Sequence, residues 1–493
     1  MDKLPQLDKL STQEKDALIL MLWEENQALK ARVKELESQI SILMTRVKEL
    51  EDQKAKDSHN SSKPPSSDGF KKKLRSLRKK SDRKSGGQKG HAGKTLQIVE
   101  NPDHIIVHCV NECRKCGISL KEIAVSNHEK RQEFDIPPIK LEVTEHQAQI
   151  KCCPQCGEMN KGEFPATITS VVQYGERVKG HVTYLMEYQL LPFERASELM
   201  DDFFDCPISQ GSLYSIVKEC SDRLEEPDKS IKKAVTQAQI VHFDESGMRI
   251  QGKTQWLHVA STQTLTYYGC HPKRGKEAMD AIEILPVFKG KAMHDGWKSY
   301  KHYTDCFHLL CNAHHLRELT FIHEQEKQPW AGQMIELLLE IKEQVDQHKA
   351  LGISQLEQTQ IQEFEHSYQQ VLDLGIKANP PPKENLEKRK PGRKKQSKAK
   401  NLLDRLSADR TGVLGFMYDF QVPFDNNLAE RDIRMIKVKQ KISGGFRSQE
   451  GASYFCRIRS YISTMKKQGK NIMTALQSVF SGHPLIPFLQ QPE

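Results

Sequence analysis

The chain has no apolar run approaching the length of a membrane span, and its opening residues, MDKLPQLDKL, lack the apolar stretch of a secretory signal. Both absences argue against a membrane or exported protein, so a cytoplasmic location is expected. Cysteine is sparse as well. Twelve cysteines in 493 residues do not make a disulfide scaffold, and in a reducing compartment they serve as thiols or metal ligands. A large charge excess is also missing: 74 Lys plus Arg stand against 65 Asp plus Glu, a net +9. That surplus is concentrated in two runs, Lys71 to Lys94 and Lys383 to Lys400, and clustered basic charge favours a polyanionic partner. The length exceeds what one hydrophobic core organises, so several domains are expected.

What is present begins with a heptad. Leu22, Leu29, Leu36, Leu43 and Leu50 fall seven apart, with Ile19, Asn26, Val33, Ile40 and Val47 three residues before each. Leucine at one seam position, β-branched residues at the other and a single polar Asn26 predict a parallel two-stranded coiled coil over residues 1–55, hence a homodimer or larger assembly. The next segment, 56–100, is rich in Ser, Pro, Gly, Lys and Arg and has too few apolar residues for a core. It reads as a basic flexible linker whose charge, including Lys71, Lys72 and Lys73, is suited to phosphates.

Two matched motifs follow, Cys113-Arg-Lys-Cys116-Gly and Cys153-Pro-Gln-Cys156-Gly. Each CxxC with its glycine predicts a tight knuckle presenting two thiolates, and two knuckles complete one tetrahedral, structural Zn²⁺ site within a ribbon-like module at 101–160. The intervening KLEVTEHQAQI reads as strand. Cys109 and Cys152 are spare thiols nearby, and a redox CxxC is the rival reading. Residues 161–236 read as helical. LPFERASELMDDFFDCPISQGSLYSIVKEC has the outline of a helix-turn-helix, with a turn at Cys206-Pro207 and with Gln210, Ser212 and Tyr214 near the second helix's start.

The pattern then changes to strands at Gln239 to Phe243, Gln255 to Ala260 and Thr264 to Gly269, a helix at Lys276 to Leu285, a strand ending at Asp295, and a strand entering a helix at CFHLLCNAHHLREL. That is the opening order of a ribonuclease-H-like α/β domain. In it Asp244 ends the first strand, Asp295 follows the fourth, and the two strand ends are neighbours when the first strand is central. Paired carboxylates of this kind hold two Mg²⁺ ions about 4 Å apart for in-line displacement at phosphorus. Glu245 faces the other way on a strand. His314 and His315 read as helix-surface residues. Further on, VPFDNNLAERDIRMIKVKQKISGGFRS places Asp425, Glu430 and Asp432 ahead of a basic run. Asn427 and Glu430 match a capping box, and Glu430 with Arg434 an i,i+4 pair.

These segments resemble the transposases of the insertion-sequence 66 family of bacterial mobile elements. The resemblance is carried by HNSSKPPSSDG, GGQKGHAGKTL, the two CxxCG knuckles, HFDES, MHDGW, CNAHHLREL, VPFDNNLAERDIRMIKVKQKISGGFRS and YISTMKKQGKNIMTALQSVF, in the family's order. Ser246 stands where the family often has Thr. The resemblance implies a DDE-type transposase with the acids Asp244, Asp295 and Glu430 and a helical insertion between the last two. It further implies double-stranded DNA as partner (element ends and target), an association with the bacterial nucleoid, and small accessory proteins of the same element. Arg431, Arg434, Lys437, Lys439, Lys441 and Arg447 are then candidates for holding DNA phosphates. The expected fold is multidomain α+β. The coiled coil (1–55), linker (56–100), zinc module (101–160) and helical region (161–236) precede a ribonuclease-H-like core in two parts, 237–330 and 405–450. A helical insertion with a basic, Pro-rich loop (331–404) divides the core, and a helical segment (451–493) ends the chain. Two other readings stay open: a zinc-containing dimeric DNA-binding protein on an inactive ribonuclease-H-like scaffold, and a nuclease acting on other nucleic acids.

Overall fold

A computed structural model describes residues 10–61, 96–137, 139–381 and 396–488. Lys71, Lys72 and Lys73 and most of the basic, Pro-rich loop lie outside the described residues. The chain forms two compact units: 76–166 with 194–210, and 1–75 with 167–193 and 211–493.

In the larger unit α1 (Thr12–Ala55) is one continuous helix of 44 residues. A capping box starts it: Ser11 Oγ accepts the Glu14 N–H at 3.3 Å, and Glu14 Oε2 accepts the Ser11 N–H at 2.8 Å. None of its residues is buried, and the heptad leucines are 43 to 65% exposed. Its C-terminal end is anchored. Asp52 pairs with Lys398 at 2.6 Å, and the buried Asn60 donates to the carbonyl of Ala55 at 3.0 Å.

In the smaller unit β1 (Ile150–Cys152) and β2 (Met159–Lys161) pair antiparallel, with Cys152 opposite Met159. The second cysteine knuckle is the turn of this hairpin. A bridge between Glu112 and Ser119 brackets the first knuckle in the same way. Residues 140–149, expected as strand, form no strand; only Gln149, whose carbonyl accepts the Gly162 N–H at 2.9 Å, continues the β1–β2 pairing. No described residue between 96 and 166 is buried.

Four helices follow in the chain: α2 (Glu176–Thr183), α3 (Phe193–Phe204), α4 (Gln210–Arg223) and α5 (Glu225–Thr236). The two helices expected on either side of Cys206-Pro207 are α3 and α4.

A five-stranded mixed sheet then organises the larger unit. It comprises β3 (Ile240–Ile250), β4 (Lys253–Ser261), β5 (Thr266–His271), β6 (Lys291–His294) and β7 (Phe307–Leu310), in the order β5-β4-β3-β6-β7. The first three strands run antiparallel, whereas β6 and β7 join β3 in parallel, so β3 is central. Asp244 was expected at a strand end, but β3 continues to Ile250. Its pairing with β6 stops at His242, while its ladder with β4 runs on to Ile250 and keeps the strand extended.

The two faces of β3 follow its period of two. Val241 and Phe243 join one core with Ile231, Ala234, Met279, Phe288 and Tyr300, under α5 and α6 (Lys276–Ile282). Met248 and Ile250 face the opposite core. Helices α7 (Asn312–Gln325), α8 (Pro329–Ala350), α9 (Gln358–Ala378) and α10 (Lys398–Ala408) build a third core around Leu338, Tyr368 and Leu402. The turns α11 (Arg410–Val413) and α12 (Gly415–Tyr418) lead back to the sheet. There α13 (Asn427–Ser443), through Ala429, Ile433 and Ile436, and α14 (Gln449–Lys467), through Phe455, cover Met248 and Ile250. The last helix is α15 (Ile472–Phe480).

Candidate active site

The sheet register brings the first two acids level. His242 pairs with Met293 in the parallel β3–β6 ladder, so two residues further along each chain stand Asp244 and Asp295. Asp244 therefore projects on the face that carries α13, and Asp295, one residue past the end of β6, lies near enough to raise its carboxyl. Asp244 is half-buried, and its Oδ1 accepts the Glu245 N–H at 2.9 Å. Burial first, then the neighbouring carboxylates of Glu245, Asp295 and Glu430, push its carboxyl well above the usual range. Asp295 sits in a tight turn, its Oδ1 accepting the Trp297 N–H at 2.8 Å. Gly296 takes a φ of +84° there, a conformation that L side chains rarely adopt.

Glu430 lies in the first turn of α13, and one buried side chain fixes where that helix begins. Asn426, 1% exposed, donates to the Phe243 carbonyl at 2.8 Å and meets His242 Nδ1 at 2.9 Å through its own carbonyl oxygen. Its backbone N–H donates to Cys311 Sγ at 3.1 Å. Asn426 thus ties the helix start to β3 beside Asp244 and to the end of β7. The capping box that Asn427 and Glu430 match in sequence does not form: the N-cap is Asn426, with its side chain committed to β3. Asp425 instead shapes the entry, accepting the Asn427 N–H at 3.0 Å.

Glu430 is not paired with Arg434. Its basic neighbours are His314 and Arg317, each 3.7 Å from Oε1 and beyond hydrogen-bond reach. Glu430 Oε1, His314 Nδ1 and Arg317 Nε are all buried without a hydrogen-bond partner. Asp244, Asp295 and Glu430 lie near enough for the latter two to raise the Asp244 carboxyl, and carboxylate oxygens are the hard donors that a divalent cation such as Mg²⁺ takes, but the three do not close to within 4.8 Å of one another.

The remaining acids have structural partners. Glu245 faces away from α13, where its carboxylate accepts from Arg274 at 2.7 Å and from Tyr300 Oη at 2.6 Å. The Arg274 guanidinium stacks between Trp256 and Trp297, 4.9 and 4.2 Å from the ring centres. Asp432 accepts from Ser261 at 2.6 Å, Thr266 at 3.0 Å and Lys467 at 2.7 Å, which binds α13 to β4, β5 and α14.

The histidines are not surface residues. His315 is 1% exposed, and its Nδ1 meets Asn312 Oδ1 at 3.1 Å; burial, then Arg405 and His314, lower its pKa to about 3. His314 is lowered too, by burial and then Arg317. Burial pushes the Cys311 thiol up to about 12.

Among the basic candidates Arg431, Arg434, Lys441 and Arg447 are exposed. Lys437 donates to the Gly247 carbonyl at 2.7 Å. Lys439 was expected to face phosphate, but its ammonium lies 4.5 Å from the Phe446 ring centre and 5.6 Å from that of Phe455, and it donates to Ser443. Helical rotation turns it inward from Arg434 and Lys441. On α4 Gln210 and Tyr214 are exposed and Ser212 is half-buried. The positions missed by sequence reasoning are Asn426 and Arg317. The adjacent asparagines of FDNN hinted at the first; CNAHHLREL contained the second with no mark to separate it from an ordinary helical arginine.

The knuckles are near copies. Gly117 N–H donates to the Cys113 carbonyl and Gly157 N–H to that of Cys153, both at 2.9 Å, with glycine φ of +74° and +73°. In the first, the N–H groups of Lys115 and Cys116 hold the Cys113 thiol below its ordinary value; in the second, those of Cys156 and Gln155 do so for Cys153. Low thiol pKa and turned N–H groups suit each pair to half of a zinc–tetrathiolate site. Among the described residues the four sulfurs do not gather into one cluster. Cys152 and Cys109 lie outside both pairs and are exposed.

No helix among the described residues is long and apolar enough to cross a membrane. No curated protein matches the chain. A family of unknown function matches residues 2–97, and the zinc-finger binding domain of transposase IS66 matches residues 111–157, spanning all four knuckle cysteines. The Transposase IS66 family matches residues 171–454, from before α2 through the sheet, the helical insertion and α13. That match takes in more than half of the 493 residues, and the chain belongs to the Transposase IS66 family.

Proposed function

We propose that this transposase is of the DDE type, with a ribonuclease-H-like core in which Asp244, Asp295 and Glu430 are the catalytic acids. The observation that carries the reading is the crowding of carboxylates at Asp244: burial raises it, as do the nearby charges of Asp295, just past β6, and Glu430, on α13, while Glu430 Oε1 is buried without a hydrogen bond. The strand order, three antiparallel strands followed by two parallel ones around a central β3, supports the same fold. Two bound Mg²⁺ would supply Lewis-acid activation of the attacking and leaving oxygens. The three acids hold that charge, and Asn426 fixes α13 so that Glu430 reaches the pair on the sheet. The products are a freed 3′-hydroxyl at the element's end and its joint to target DNA.

Double-stranded DNA is the partner. Exposed Arg431, Arg434, Lys441 and Arg447, together with Lys71, Lys72 and Lys73, neutralise phosphates, so binding weakens steeply with salt. Gln210, Ser212 and Tyr214 at the start of α4 are the base-reading candidates. The exposed leucine seam of α1 pairs two chains, which suits a protein that must hold two DNA ends. A chain lacking residues 1–55 should sediment as a smaller assembly, and an unchanged size removes the zipper from this picture.

The decisive measurement is strand transfer on element-end DNA with Mg²⁺. Asp244→Asn and Glu430→Gln should each lower the rate at least about a hundredfold with DNA binding retained. Full activity in either variant would return the core to the role of a scaffold.

A further inference from the structure

Cys311 closes β7 and precedes α7, and His314 stands three residues on, so both project from the same face of that helix start. Glu430 reaches the same point from α13. Cys311 Sγ, a His314 ring nitrogen and a Glu430 carboxylate oxygen all lie within 4.8 Å of one another, the one group of three such donors among the described residues. At the same point His314 Nδ1 and Glu430 Oε1, 3.7 Å apart, are both buried and have no hydrogen-bond partner. Buried orphan atoms are rare in folded proteins, and two converging on one point with a thiol between them call for a shared ligand. The Asn426 N–H donates to Cys311 Sγ at 3.1 Å, one contact that a thiolate would keep, whereas burial and the Glu430 carboxylate hold the metal-free thiol protonated.

The chemistry of this donor set differs from that of the acid triad. Mg²⁺ takes hard oxygens, whereas thiolate, imidazole and carboxylate together select a softer ion of the zinc kind, with the fourth position open. We propose that Cys311, His314 and Glu430 form a second transition-metal site, separate from the cysteine knuckles, that takes Zn²⁺ and so draws Glu430 away from Asp244 and Asp295. Binding needs one proton to leave the Cys311 thiol for solvent, and Arg317, 3.7 Å from Glu430 Oε1, is the cation the metal displaces. The site itself rests on the geometry alone. Its consequence, that zinc opposes Mg²⁺-dependent strand transfer, rests on the catalytic reading above.

Cobalt titration of the full-length chain, its knuckles first filled with zinc, tests the site without DNA. One equivalent of Co²⁺ should bind and give a thiolate-to-cobalt charge-transfer band, and Cys311→Ser should abolish that band. A band that survives unchanged in Cys311→Ser comes from exchange at the knuckles and overturns the proposal, as does the absence of any band in the wild type. If Cys311→Ser fails to fold, His314→Gln serves instead: it should weaken Co²⁺ binding at least about tenfold, and equal affinity overturns the proposal. A second arm asks whether Zn²⁺ inhibits strand transfer by the wild type and spares Cys311→Ser. Equal inhibition of both proteins rejects the regulatory consequence. A wild type inactive under all conditions sinks the catalytic reading and leaves the cobalt result to decide the site.

Discussion

Residues 96–166 and the sheet region hold themselves together by opposite means. Between 96 and 166 no described residue is buried, and Ile105, Ile106, Val143 and Ile136 are more than three-quarters exposed. What order there is comes from two glycine-turned knuckles, a three-residue hairpin and one bridge. The sheet region buries both faces of β3, with Ile250, Phe288 and Phe455 wholly enclosed. A segment without an apolar core needs another source of folding free energy, and cross-linking by metal is the one its thiols provide. The comparison teaches where each region is fragile: one to chelators, the other to cavities.

The largest effect should come from removing the knuckle metal. Replacing Cys113, Cys116, Cys153 and Cys156 by Ser should abolish ordered signals from 101–160, a loss on the order of 10 kcal/mol of metal-linked folding. The melting of the sheet region should stay unchanged. The reciprocal change, Phe455→Ala, should cost the sheet about 3–5 kcal/mol and leave zinc content alone; cross-effects in either direction would break the contrast. A smaller, sharper test lies within α13. Asp432→Ala takes the carboxylate from half-buried Lys467, which keeps only the Ser261 hydroxyl and two carbonyls, and should cost about 2 kcal/mol. Glu430→Gln, by contrast, removes a charge that makes no hydrogen bond and meets Arg317 only at 3.7 Å, and should leave the melting temperature nearly where it was. Equal losses would make Glu430 a structural residue like its neighbour.

The smallest effect is a pH dependence. Asp244 is raised in the fold, so the stability linked to it is full below the ordinary Asp value of 3.8 and is lost as pH rises through the raised value. Asp244→Asn removes that loss. Its melting temperature should therefore gain on the wild type from acid towards neutral pH, measured without metal. Mg²⁺ should narrow the gap by binding the wild type. A gap constant with pH would mean that Asp244 is not held in the crowded, desolvated state described.

Local features were legible in the sequence because their causes are local. Two CxxCG spacings dictate two knuckles, and the heptad dictates one unbroken helix with an apolar seam. Strand alternation also placed Glu245 on the face away from α13. Features set by tertiary contact were not legible. Asn426 and Asn427 look equivalent as caps, and only the position of β3 decides that the first turns inward. Lys439 sits in a basic run, yet the rotation of α13 lays it over Phe446. His315 reads as a surface residue of a polar motif until α10 covers it. The segment 140–149 has the residues of a strand, yet only Gln149 continues a ladder. At α1, where no sheet competes for the side chains, Ser11 and Glu14 do form the capping box that Asn427 and Glu430 do not.

The contact between Asn426 and His242 spans 184 residues of chain. Asp244 and Asp295 leave the ribosome long before the segment that brings Glu430 to them, and everything from α7 to α12 must fold in between. Contacts of such long range form late. An unfinished or truncated product therefore carries two acids on an exposed sheet with no third, and it cannot assemble the set. With Asp244, Asp295 and Glu430 as the proposed catalytic set, synthesis itself would withhold that set until nearly the whole chain exists.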